Sequence, residues 1–222
     1  SSSGRPEPVF IGHWAPALAV AARPKAPGIG LLFIAAQLVD WAFFALLIFG
    51  VERMRMTPGI SAMNPLDLYH MPYTHSLLGT LAFGGGITVI IWALTKSRAA
   101  ALLTGAVVVS HWFLDLLVHV PDLTLTGSPP KLGFGLWNHA VIEMPLELGI
   151  TFGALWLYVR AKRPAPLRVG ILAALLLALQ LFNWFGPVEI EVTLGTSLLA
   201  FVAFGLTALA AWWMGKSAAN PA

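Results

Sequence analysis

The stretch 110–120, SHWFLDLLVHV, sets His111, Asp115 and His119 at four-residue intervals. On a helix, positions i, i+4 and i+8 lie along one face. A second stretch, 137–148, WNHAVIEMPLEL, sets His139, Glu143 and Glu147 at the same interval. Ionisable side chains in runs this apolar are costly, and they normally face a partner, a cavity or an ion. Two helices that turn imidazoles and carboxylates toward each other can cage a divalent metal. A nitrogen and oxygen donor set without sulfur suits zinc, and also manganese or iron. The chain has no cysteine, which removes thiolate ligands and disulfides from consideration.

The elements that must position these residues are membrane helices. Of the 222 residues, 58% are hydrophobic and only 10% are charged, against about 25% charged in an ordinary soluble domain. The mean hydropathy is +0.78. The expected class is all-α: a polytopic helical bundle in one integral-membrane domain spanning 1–222. A pI of about 9.5 rests on a net charge of only +3. That balance fits cytoplasmic loops of a membrane protein, and no nucleic-acid partner is expected.

Residues 1–8 are polar and read as loose. The run 9–22 carries His13 and Trp14 and is short for a span, so it reads as a re-entrant or interfacial helix. About six spans follow, at 28–50, 75–94, 99–120, 137–159, 169–185 and 194–214. The segments 51–74 and 121–136 read as Pro-rich loops that cap the site. Gly149 and Gly153 form a GxxxG, a weak packing signal. In this topology Arg23, Lys25, Lys96, Arg98, Arg160, Lys162, Arg163, Arg168 and Lys216 fall on one side. Glu189 and Glu191 fall on the other. The positive-inside rule makes the basic side cytoplasmic.

With the spans so placed, Asp40, His75, His111, Asp115, His119, His139 and Glu143 share the outer half of the bilayer. His13 joins them if the N-terminal run descends part-way from outside; 14 helical residues reach about 21 Å. A single His or Asp in such a helix is as readily a structural hydrogen-bonder as a ligand. Convergence of His13, Asp40, His75, His111, Asp115, His119, His139 and Glu143 at one depth favours a bound metal. His70, in a loop, and Glu147, one turn deeper than Glu143, read as supporting or structural. The Trp residues read mostly as interfacial anchors, and Trp14 and Trp112 as packing.

The set GH (12–13), Asp40, YTHS (73–76) and SHWFLD (110–115) resembles the bacterial inner-membrane, LexA-binding (YdjM-like) metal-dependent hydrolase family. The resemblance covers roughly residues 10–145, the metal-site core, and leaves 146–222 outside it. The order His13, Asp40, His75, His111 with Asp115, His119, and His139 with Glu143 is also similar to the zinc phospholipase C and single-strand nuclease superfamily. It implies three metals. Asp40, His75, His111 and Asp115 would hold one zinc. Asp115 would bridge to a second, also held by His13. His119, His139 and Glu143 would hold the third. There are two departures. In the soluble enzymes the chain's N-terminal amine and carbonyl complete the second site, whereas His13 is internal. The PDxD sequence common in the membrane family is replaced by QLVDW around Asp40. A site of two zinc ions is therefore the other expectation.

The chemistry implied is hydrolysis of a phosphoester, with Asp40 and Asp115 as catalytic residues and a phospholipid or lipid-linked phosphate as substrate. The implied location is the bacterial inner membrane, with the site toward the periplasm. Two other classes remain open. An ion- or proton-coupled transporter would use the ladder as a path, and predicts polar residues continuing inward, where the sequence offers almost none. A cofactor-binding subunit with His-ligated haem or chlorophyll predicts isolated His, and the neighbouring carboxylates disfavour it.

Overall fold

In the computed structural model, which describes residues 10–187 and 191–218, the apolar runs fold as helices packed into one bundle. Expectations for residues 1–8 and for Glu189 lie outside the described residues. A 3-10 turn, Ile11–His13, leads into α1, Trp14–Ala21. Then come α2, Ile29–Ala36, and α3, Leu38–Ile48. A hairpin follows, β1 Arg53–Met56 and β2 Leu66–His70. The remaining helices are α4 Leu77–Thr95, α5 Arg98–Val118, α6 Ala140–Lys162, α7 Pro166–Phe185 and α8 Leu194–Gly215. The last five are each long and apolar enough to cross a membrane. Together α2 and α3 meet the same test as one span bent by 49°, so the bundle has up to six spans, as the sequence led us to expect.

Local chemistry sets the helix starts. Ser76 Oγ accepts the Gly79 N–H at the start of α4, and Ser97 Oγ accepts the Ala100 N–H at the start of α5, each satisfying an amide with no partner inside its helix. The two helices then pack so closely that a Cβ on Gly105 would lie 2.8 Å from the Gly84 carbonyl oxygen. In lipid such contact replaces water exclusion as the force between helices. Gly149 and Gly153 have open space where a side chain would project, so the GxxxG face meets no neighbour among the described residues.

The short first helix lies inside the bundle and not on its surface. Trp14, Ala17 and Leu18 are fully buried, in a core that includes Phe33 of α2, Val108 of α5, Leu155 of α6, Leu176 of α7 and Phe204 of α8. Trp14 donates its indole N–H to the Phe33 carbonyl. Outward-facing positions are apolar too: Val89, Leu94, Leu102, Val141, Leu157 and Leu209 are all exposed. That pattern suits a hydrocarbon surround.

Segment 51–74 is not wholly loop. RMRM pairs antiparallel with LDLYH, Arg55 opposite Asp67, and their side chains meet at 2.6 Å. Strand alternation turns Met54, Leu66 and Leu68 inward. The fourth span also begins later than its sequence suggests. Residues 136–138 form a 3-10 turn, and α6 starts only at Ala140.

Candidate metal centre

Four elements bring their polar side chains to one point. His111 and Asp115 project from the last two turns of α5, Asp40 from the first turn of α3, and His75 from just before α4. His13 ends the 3-10 turn before α1, and its ring stacks on His111 with centroids 3.9 Å apart. His119 is not on the helix. It caps α5 in extended conformation, φ −66° and ψ 148°, and still reaches Asp115. All are buried except Asp40, whose side chain is 19% exposed.

The separations match those between ligands sharing an ion. Donors bound at about 2.1 Å in tetrahedral geometry lie about 3.4 Å apart. Asp40 Oδ1 is 3.3 Å from His75 Nε2 and 3.4 Å from His111 Nε2. Asp115 Oδ2 is 3.2 Å from His111 Nε2 and 3.7 Å from His75 Nε2. The other oxygen, Oδ1, lies 2.9 Å from His13 Nε2 and 3.3 Å from His119 Nε2. Asp115 thus stands between two donor groups, one oxygen to each. Two overlapping triads, His13, His111 and Asp115, and Asp40, His75 and His111, each offer ligand atoms within 4.8 Å of one another.

The far side of three of the four rings is held by a neighbour, His13 Nδ1 being without a partner among the described residues. His111 Nδ1 lies 2.9 Å from the Ala36 carbonyl at the end of α2. His119 Nδ1 lies 2.9 Å from Asp122 Oδ1. His75 Nδ1 lies 2.8 Å from Thr74 Oγ1, and that hydroxyl donates its proton to Glu52 Oε2 at 2.5 Å. Glu52 is itself fully buried and accepts the Tyr73 and Thr74 amides at 2.9 Å each. An Nδ1–H held by an acceptor leaves Nε2 as the ligand atom once any proton on it is displaced, the usual outer arrangement of metal-bound histidine. Inside the cluster, His13 Nε2, His111 Nε2 and Asp115 Oδ2 are buried with no hydrogen bond; the 2.9 Å approach of His13 to Asp115 is out of line for one. Unpaired buried polar atoms are costly, and a divalent cation would satisfy the lone pairs of all three. Burial disfavours a charged His119, but the Asp122 and Asp115 carboxylates outweigh it and push its pKa up to about 10. These buried groups can hold a metal ion.

Two sequence-predicted ligands stand apart. His139 is exposed, because α6 begins at Ala140 and leaves it as the cap, with φ −127° and ψ 62°. The place beside His119 is taken by the Trp137 ring, 4.2 Å away between centroids. Glu143 is buried but faces a separate side pocket with Asn64, Asn183 and Glu147. Glu147 accepts from Gln180 Nε2 at 2.7 Å and from the Gly12 amide at 3.4 Å. The structure therefore gathers His13, Asp40, His75, His111, Asp115 and His119, and does not gather His119, His139 and Glu143 into a third group. His70 is exposed on β2. Sequence reasoning passed over Glu52, Thr74, Asp122 and Gln180. Of these Thr74, next to His75 within YTHS, and Asp122, three residues after His119, carry a local signal.

The cluster floors a chamber of about 950 Å³, open mouth included. Its walls are apolar: Phe43 and Phe44 of α3, Met54 and Leu68 of the hairpin, Leu179 and Phe182 of α7, and Leu199 and Ala203 of α8. Phe182 and Leu199 are each about half exposed on the outside of the bundle, so the chamber reaches its lipid-facing surface between α7 and α8. No family model, no curated protein and no solved structure matches this chain.

Proposed function

We propose that the protein is a membrane-embedded, metal-dependent hydrolase of a phosphoester, and that its substrate is a phospholipid or another lipid-linked phosphate. The observation that carries this is the orientation of the histidines. Three have Nδ1 tied to an outer acceptor and Nε2 turned onto Asp40 or Asp115 at ligand-to-ligand distances. The donor set favours zinc, and two ions fit the two faces of Asp115. A bound divalent ion would supply Lewis acidity to the phosphoryl group and make a water nucleophilic near neutral pH.

The chain's own residues do the rest. Asp40 and Asp115 both line the chamber, and Asp40 is the more exposed of the two, 19% against 1%, so it accepts the proton of the attacking water. Asp115 holds the two donor groups in register. Phe43, Phe44 and the hairpin keep bulk water out, and the crevice between Leu179, Phe182 and Leu199 seats a hydrocarbon chain while its headgroup meets Asp40. The basic, Trp-rich end of the bundle supports a cytoplasmic position for that end, with the site toward the periplasm of a bacterial inner membrane.

Elemental analysis of protein purified without chelator, paired with hydrolysis of a phospholipid and of a soluble phosphoester, tests the proposal. About two zinc per chain and chelator-sensitive release of phosphate or a phosphorylated headgroup are expected. Absence of metal would refute it.

A proton-coupled carrier is favoured by one feature, the buried row Glu143, Glu147 and Gln180 beside the His13 turn. Below it Thr151 is followed by Ala154, Leu155, Leu172 and Leu176, all buried. With no polar side chain among them to relay an ion further, hydrolysis is the stronger reading.

A further inference from the structure

At the end of the bundle away from the metal centre, α2 begins, α6 and α8 end, and a second cavity of about 960 Å³, open mouth included, lies between them. Gly28 has no side chain to cap α2, so the first-turn amides lack a side-chain cap, and their residues Ile29, Gly30 and Leu31 line this cavity. Lys162 and Lys216 stand at its rim. Lys162 Nζ is anchored 3.2 Å from the Arg23 carbonyl, and Lys216 lies over the Trp212 ring at 5.1 Å. Tyr158 also lines the cavity. The residue is only 3% exposed, and among the described residues no hydrogen bond engages its hydroxyl. A buried phenol normally finds one.

We propose that this cavity binds the phosphate of an anionic diacyl lipid headgroup. Helix amides and two ammonium groups supply positive potential to phosphate oxygens, and the Tyr158 hydroxyl donates to one of them. The same chemistry would take free phosphate, but the apolar flank commits the site to lipid: the exposed Trp212 ring and Leu31 offer a path for acyl chains alongside the bundle. The surrounding surface is that of an interfacial belt. Arg160 lies over Trp156 at 5.0 Å, Arg168 over Trp213 at 4.5 Å and Lys96 over Trp92 at 6.0 Å, the depth at which lipid phosphates sit. The inference does not depend on the chemistry of the metal centre.

Native mass spectrometry of the full chain in detergent, with phosphatidylglycerol, phosphatidylcholine or inorganic phosphate added, tests it. Phosphatidylglycerol should be retained where phosphatidylcholine is not. Tyr158→Phe should weaken retention about tenfold, and Lys216→Met about fivefold. Arg160→Gln, at the same end but outside the cavity, should leave it unchanged. Equal retention of both lipids, or an equal loss in Arg160→Gln, would show diffuse attraction and overturn the site. Displacement of lipid by low inorganic phosphate would overturn the lipid assignment.

Discussion

Replacing Asp122 with Asn tests whether the second group of donors is built for a metal. Asp122 Oδ1 is 2.9 Å from His119 Nδ1, and both residues are buried. At an effective dielectric of about 20, a charge pair at that distance interacts by about 6 kcal/mol before desolvation is subtracted. In the metal-free protein this pull, shared with Asp115, holds His119 protonated, with a pKa of about 10. A metal must displace that proton. The apparent affinity should therefore rise by about tenfold per pH unit through the neutral range on account of His119 alone. Asp122→Asn keeps the shape and the acceptor oxygen but removes the charge, so the His119 pKa falls. Two effects then oppose each other. Proton competition weakens, which favours the variant at acid pH. The ring also becomes a poorer ligand, which costs about 10- to 100-fold in affinity once protons no longer compete. The pH profiles should converge at the acid end and separate at the alkaline end, with the variant shallower. Zinc titration against a chromophoric chelator from about pH 6 to pH 9 reads this directly. Parallel profiles, or a variant as tight as the parent at alkaline pH, would refute the role given to Asp122.

Asp115→Asn should lose metal and hydrolytic activity together while circular dichroism stays helical; full metal content would contradict the bridging position. His139→Ala should retain metal, because that ring is exposed, and loss of one ion in elemental analysis would restore the third site that the family resemblance implies. Thr74→Val removes the hydroxyl joining Glu52 to His75; about 10- to 100-fold weaker metal binding is expected, with chelator titration as the measure. Cysteines placed at Ser128 and Ala165 should react with an impermeant reagent from the outside at 128 only; the reverse would turn the site toward the cytoplasm.

The bundle was legible because apolar runs of span length leave few alternatives. His111 and Asp115 were legible because four-residue spacing within a certain helix fixes their common face. The same spacing misled at His139 and Glu143. The helix begins one residue too late, and a cap residue does not share the face of the turns that follow it. His119 joins the cluster for a reason the spacing does not contain, an extended residue past the end of α5 that points back. The hairpin was hidden by Pro58 and Pro65, although RMRM already shows strand alternation. Glu52 and Gln180 act through partners brought near only by the fold, and no local pattern marks them; Thr74 stands next to His75 inside YTHS, but its link to Glu52 comes from the fold.

The break between α2 and α3 ties the cluster to the shape of a span. The Ala36 carbonyl, at the last residue before the bend, receives His111, and Asp40, one turn after it, faces that same ring. Both grips on His111 come from opposite sides of the 49° elbow. Straightening the span would withdraw them in concert, so a ligand that fastens Asp40 to His111 also locks the elbow. Metal loading and the angle of this span would therefore be thermodynamically linked: whatever bends the span, including the thickness of a surrounding bilayer, would tune how tightly an ion is held, and the ion in return would stiffen the protein against that bilayer.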